Sequence, residues 1–451
     1  MGTRILHFAD VHAEEKNSEE IQRCLDFMVK TAEQKRPDVI ICSGDVTNSQ
    51  YLAADTKSAK MISSVFRKLS DIAPVAVVCG TFSHDGQTPE LLKYVSGKNP
   101  IHVSTKPEQI YLRSQLVNKI VPAHHVYSWV TAEDMEAVMI PNQEIVMIVT
   151  QIPPPTKENW KNRQGAEIDN QNIAQAMGSI FASFGVMANG YDSIHVLNGH
   201  FSMKGSKISE TQTLPGTDIA IDTETLSMAL ADICLLGHIH YAQEYALPAG
   251  KKAFHAGSIF RKDFGEQGMA KGFYVHDICD DNEPDLHEFI QTPTREMIQV
   301  DYNCVSDPDL IKENFIQRVV SDILDNGGQE KPGYWAKVKI TLWIDDIRRI
   351  NQSALKQSIK EAGADNVVLE IKRVRRENSR EEEIIKAETL IDKVRALANH
   401  RSQPVPAGVF EMLENVEAMS PADLVKYCQA RLNQDKPAVI VNEIEKEREV
   451  A

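Results

Sequence analysis

Five separate β-like runs in this chain each end in a turn built from Gly, Asp or His. In order they are Ile5–His12 (ILHFADVH), Val39–Asp45 (VIICSGD), Val75–Asp85 (VAVVCGTFSHD), Ile194–His200 (IHVLNGH) and Ile233–His240 (ICLLGHIH). Polar side chains at the carboxyl ends of strands are where open α/β sheets place their sites. The glycines allow a sharp turn and close approach to a ligand. In Asp10-Val11-His12 and His238-Ile239-His240 the two polar side chains project to the same side, because an extended chain has a period of two. Singly, each piece reads first as a capped turn. Five in succession, each behind a strand, point to one converged site.

Carboxylate and imidazole together suit manganese, iron, zinc or nickel better than magnesium alone. A carboxylate such as Asp45 can bridge two ions. A two-metal site of that kind holds both the attacking and the leaving oxygen of a phosphoester and generates hydroxide near neutral pH. The leaving alkoxide still needs a proton, and His84 is the candidate general acid. The chemistry expected is phosphodiester hydrolysis with two divalent ions.

The remaining composition limits what else the chain can be. With 451 residues, two or three domains are expected. No apolar run is long enough to cross a membrane, and the N-terminal sequence lacks an apolar signal core. The seven cysteines form no CxxC pair and suit a reducing cytosol. A net charge of −15 argues against indiscriminate coating of nucleic acid, though not against a site that cleaves it.

Residues 1–290 alternate strand-like and helix-like segments, the rhythm of a layered α/β domain. The first helix is expected to start at Asn17 as its cap, with Glu20 at the third position, and to end before Pro37. Its apolar stripe runs through Ile21, Cys24, Leu25, Met28, Val29 and Ala32. A second unit, 291–376, reads as strand (336–344), helix (353–362) and strand (367–374). Residues 377–435 are helical, with stripes over 381–399 and 421–432, the latter opened by Ser420 and Pro421. A tail, 436–451, follows.

The order DxH, GD, [N/S]HD, GH, GHxH resembles the calcineurin-like metallophosphoesterase superfamily. The stretch from His255 (HAGSIFRKDFGE) to Lys271-Gly272-Phe273 resembles the GSIxRxDFGExxxxKGF signature of SbcD-type DNA repair nucleases. The resemblance implies a layered α/β metallophosphoesterase sandwich over 1–290, a small α/β cap and C-terminal helices. It also implies a manganese-dependent DNA exonuclease or endonuclease. Asp10, His12 and His240 would bind one ion, Asp45 would bridge, His200 and His238 would bind the second, and His84 would act on the leaving group. Ser83 fills the slot of the family's Asn ligand, with Thr81 as an alternative. Asn48 stands where the family often carries a substrate-side His. The helices would grip the coiled-coil base of an SbcC-like SMC-type ATPase, and a second copy of the chain is a further candidate partner.

Lys372, Arg373, Arg375 and Arg376, with Arg348 and Arg349 before them, form a basic cluster that is either a solvated face or a contact for DNA phosphates. Strand histidines His7 and His195, and His255, read as structural, and Asp85 as the group that fixes the His84 loop. Two rival readings remain: another superfamily phosphodiesterase or phosphatase, and a scaffold without catalysis.

Overall fold

The computed structural model describes residues 2–117, 124–138, 140–155, 170–212, 218–279, 284–312, 314–329, 333–375, 387–401, 405–406 and 408–434. Its first strands are the expected apolar runs, β1 (Thr3–Phe8), β2 (Val39–Cys42) and β3 (Val75–Val78), followed by β4 (Ile101–Ser104). Next come β5 (Glu108–Val117), β6 (His124–Thr131), β7 (Ile145–Ile152) and β8 (Ile194–His200). Short strands β9 (Ser202–Met203) and β10 (Ala220–Ile221) precede β11 (Ile233–Gly237), β12 (Gln243–Ala246) and β13 (Lys252–His255). Strands β14 (Gly272–Ile278) and β15 (Leu286–Gln291) complete the set.

They form two principal sheets, in the orders β15-β14-β1-β2-β3-β4 and β12-β13-β11-β8-β7-β5-β6. Strands β1, β2, β3 and β4 pair in parallel in one sheet, with β4 at its edge, and β7, β8, β11 and β13 in the other. Antiparallel strands flank β1 on the far side of the first sheet and both sides of the parallel strands in the second. Parallel strands need cover on both faces, and the side chains divide accordingly. Leu6, Phe8, Ile40, Cys42, Val75 and Val77 pack in one core with α1 (Ser18–Lys35) and α2 (Lys57–Ile72). The alternate residues Ile5, Val39, Ile41 and Ala76 pack with Met147, Val149, Val196, Ile233 and Leu235 of the other sheet. On the far face of that second sheet, Leu197, Cys234 and Leu236 meet Met177 and Phe181 of the helix Asn170–Ala188. The result is helix, sheet, sheet, helix.

Helix α1 carries the expected apolar stripe, with Ile21, Cys24, Leu25, Met28, Val29 and Ala32 all buried. The expected capping box does not form. Asn17 holds the N-cap position but its side-chain amide donates to Glu14, and Glu20 accepts from Thr294 and the Arg295 backbone instead. A carboxylate offered both a hydroxyl and a backbone N–H from across the fold gains more there than at its own helix end.

Strands β16 (Met297–Asn303), β17 (Tyr334–Trp343) and β18 (Ala364–Val374) make a separate three-stranded sheet. Along β17 buried and half-buried residues alternate, so one face is covered. The helix expected over 353–362 is Gln352–Glu361, with Asn351 accepting from the Ala354 N–H as its cap.

By compactness the chain divides into Met1–Ile340 with Ile350–Ile371, and Thr341–Arg349 with Lys372–Ala451. Among the described residues of the second unit, the α-helices are Leu390–Arg401, Val409–Glu417 and Pro421–Gln434. Of the helix expected over 381–399, residues 390–399 are helical and 387–389 are not, and 376–386 lie outside the described residues. Ser420 does cap its helix, accepting from the Asp423 N–H at 3.3 Å. Of the described apolar side chains in these helices only Leu413 is buried, while Val425 is 56% exposed.

Candidate metal centre

The turns after β1, β2, β3, β8 and β11 converge because parallel strands deliver their carboxyl ends to one edge. Backbone hydrogen bonds stitch the first two together: Asp10 N–H to Gly44 O at 3.0 Å and His12 N–H to Asp45 O at 2.9 Å. Asp10, His12, Asp45 and His238 all have positive φ (52°, 47°, 50° and 86°), half of the eight non-glycine residues so placed among the described ones. Such conformations cost free energy and persist where surrounding contacts over-determine them, as at functional sites. Packing leaves no spare room. A Cβ on Gly80 would lie 2.1 Å from Asp45 Oδ1, and one on Gly237 would lie 2.0 Å from the Ser43 carbonyl.

Six of the side chains singled out in the sequence meet here. Three groups have ligand atoms within 4.8 Å of one another: Asp10, His12 and His240; His12, Asp45 and His84; Asp10, Asp45 and His200. His12 Nε2 lies 2.9 Å from His240 Nε2 and 3.7 Å from Asp45 Oδ2, and His200 Nε2 lies 3.4 Å from that same oxygen. Overlapping groups that share Asp10 and Asp45 suit two adjacent cations better than one. Each set mixes oxygen and nitrogen donors, which fits a first-row divalent metal.

The second ring nitrogens fix how these imidazoles face. His200 Nδ1–H donates to the Ser43 carbonyl at 2.6 Å, leaving Nε2 for a metal. His240 Nδ1–H donates to Glu266 Oε1 at 2.8 Å, and Lys271 Nζ, fully buried, lies 3.1 Å from the same oxygen. Burial pushes the Glu266 carboxyl up, but its bonds to His240 and the Lys271 charge outweigh this and hold it at about 2. His238 takes the opposite arrangement: its Nε2 lies 3.2 Å from Asp218 Oδ2, which leaves Nδ1 as the available ligand atom. Its backbone N–H meets both oxygens of Asp10 at 3.1 Å. Partners of this kind orient ligands and raise their basicity. Burial would raise Asp45, yet the neighbouring His200, then His12 and His84, hold it well below the carboxylate range.

Ser83 and Thr81 part company. Ser83 is exposed. Thr81 donates its backbone N–H to Asp45 Oδ1 at 2.6 Å, and its hydroxyl is 3.3 Å from His200 Nε2. Hydrogen bonds from the His84 and Asp85 N–H groups to the Thr81 carbonyl coil this loop and turn Ser83 outward. Asp85 fixes the loop, accepting from the N–H groups of Thr47 at 2.9 Å and Gly80 at 2.7 Å. His84 is held through its carbonyl by the Thr47 hydroxyl, and its ring sits edge-on to His12 at 4.7 Å. His7, His195 and His255 are buried and bonded to Ser43, Thr150 and the Phe201 carbonyl.

Asn48 is not free at the rim: it bonds Glu14 and Lys262. Lys372, Arg373 and Arg375 are exposed on or just after β18, and Arg376 lies outside the described residues. Sequence reasoning missed Glu266, Lys271, Asp218 and Lys262. Glu266 and Lys271 stood inside the quoted signature without an assigned role, and Asp218 follows no motif.

The family profile of calcineurin-like phosphoesterases matches residues 3–242. The SbcD component of the SbcCD nuclease from Staphylococcus epidermidis is 24% identical over 321 residues, which is 69% of this chain and 74% of that protein. Among solved structures, GAP50, the anchor in the inner membrane complex of Plasmodium, aligns over 65% of this chain and 85% of its own at 13% identity and a TM-score of 0.39. A dimetal phosphatase from Danio rerio aligns over 64% and 98% at 10% identity and a TM-score of 0.38. No described helix is long and apolar enough to cross a membrane.

Proposed function

Because the chain belongs to the calcineurin-like phosphoesterase family, we propose that it is a manganese-dependent DNA nuclease that hydrolyses phosphodiester bonds and works in DNA end processing. The observation that carries this reading is the overlap of three ligand groups around Asp10 and Asp45. Asp10, His12 and His240 would hold one ion, Asp45 would be shared, and His200 and His238 would hold the second, with the Thr81 hydroxyl 3.3 Å from His200 Nε2. Divalent ions bound there would activate water near neutral pH and polarise the phosphate.

The protein's own groups do the rest. Glu266 and Ser43 set the tautomers of His240 and His200, so that each presents a lone pair inward. His84 protonates the leaving alkoxide. Burial lowers its pKa, which makes the protonated ring a stronger acid, and the phosphodiester anion favours that protonated form. The exposed Lys372, Arg373 and Arg375 contact DNA phosphates. The C-terminal helices lay their apolar faces on an SbcC-like ATPase, in keeping with the name of the staphylococcal relative, one component of SbcCD.

Digestion of end-labelled single- and double-stranded DNA, with and without manganese, is the test, with p-nitrophenyl phosphate mono- and diesters alongside. Metal-dependent cleavage of DNA is expected. Hydrolysis of the small esters alone would favour a phosphodiesterase or phosphatase on another substrate. No hydrolysis of any substrate would favour a scaffold.

A further inference from the structure

The segment that follows β13 carries three cations, Arg261, Lys262 and Lys271, and two of them are neutralised. Arg261 pairs with Glu296 at 3.0 Å and Lys271 with Glu266 at 3.1 Å. Lys262 is different. Half-buried, it donates from Nζ to the neutral Oδ1 of Asn48 at 2.9 Å, and among the described residues no carboxylate forms an ion pair with it. We propose that Lys262, aimed by Asn48, is a substrate-binding residue that takes a phosphate oxygen of the phosphodiester at the rim of the metal centre. This rests on the phosphodiesterase reading above and deepens it.

The geometry is built rather than incidental. Asn48 cannot swing, because its Nδ2 donates to Glu14 Oε2 at 2.9 Å and its backbone N–H to the Ala13 carbonyl at 3.2 Å. Glu14 is itself held by Asn17. Lys262 is rooted on the site's own frame: its backbone N–H donates at 2.7 Å to Glu266 Oε2, the carboxylate whose other oxygen orients His240.

Charge balance then decides what Lys262 is for. Two divalent ions bring more positive charge than the Asp10 and Asp45 carboxylates cancel. A further ammonium at such a site is repelled unless an anion lies between. A lysine that only tied two loops together would be better served by a carboxylate than by an amide oxygen. A phosphodiester supplies the missing negative charge, bonded to the ions on one side and to Lys262 on the other.

The test uses the full chain loaded with manganese and compares wild type with Lys262→Ala, Lys262→Gln and Lys262→Arg. Inorganic phosphate binding is measured by calorimetry at several salt concentrations, together with KM and kcat for bis(p-nitrophenyl) phosphate and manganese content. Losing a charge-assisted hydrogen bond should weaken phosphate binding and raise KM by about 10–100-fold in the Ala and Gln variants. Salt dependence should flatten, Arg should recover most of the affinity, and manganese content should not change. Phosphate affinity within about twofold of wild type in the Ala and Gln variants would make Lys262 a loop tie and overturn the proposal. So would a wild type that binds no phosphate, or a fall in manganese content that accounts for the whole loss. Phosphate binding that depends on Lys262 without any diester hydrolysis would uphold this residue's role and remove the phosphodiesterase reading instead.

Discussion

At the metal centre, Asp10 and His200 are fully buried and Asp45 is 3% exposed, and each is bonded by neighbours from other strands. In the helices between 390 and 434, one described apolar residue is buried, while Leu390, Leu397, Met412 and Val425 are 36–56% exposed. Both regions are made from ordinary residue types. The difference lies in what covers them. Polar groups at the centre sit between two sheets whose apolar faces are already satisfied, so their positions are fixed by the chain itself. Among the described residues of the helices, apolar side chains are left largely exposed, which is the pattern of an interaction surface. Function at the centre should therefore fail through loss of geometry, and function in the helices through loss of association.

Removing residues 377–451 gives the sharpest contrast. Co-purification with an SbcC-like ATPase should be lost, while manganese binding and cleavage of small diesters persist. Pull-down and metal analysis on the truncated chain check both halves, and a truncated chain that unfolds would erase the distinction between the regions. Within the centre, His84→Ala should lower kcat by about 10²–10⁴-fold with manganese content unchanged. Loss of metal in step with rate would make His84 a ligand. Glu266→Gln should act more mildly, weakening manganese affinity by about 10–100-fold through the orientation of His240, and equilibrium titration reads it directly. Smallest of all, Val425→Ser should alter stability to denaturant by no more than about 0.5 kcal/mol, yet weaken ATPase binding. A large stability loss there would show that the helices form a core of their own.

How much of this was legible in the sequence follows from the range of each interaction. The strand ends were legible because alternation and turn residues are local: β2 was expected from Val39 and runs Val39–Cys42. That the first three runs share one sheet and the last two another left no local signature, since pairing such as β8 with β11 joins segments far apart in sequence. Glu266 was hidden for the same reason. Its role depends on His240, 26 residues earlier. Counting slots back from His84 points to Ser83, with Thr81 as the alternative; the coil of that loop leaves Ser83 exposed and brings the Thr81 hydroxyl to 3.3 Å from His200 Nε2, and coiling is invisible to a count. The capping box of α1 was undone by Thr294 and Arg295, which compete for Glu20 from 274 and 275 residues away.

The most direct measurement is the manganese stoichiometry of the purified chain, by calorimetric titration and elemental analysis, beside that of Asp45→Ala. Two ions per wild-type chain are expected, with hydrolysis of a phosphodiester following the second, and loss of both ions and of hydrolysis in Asp45→Ala. Full hydrolysis in chelator-treated protein, or an Asp45→Ala chain that keeps both ions, would contradict a centre built on two cations bridged by that carboxylate.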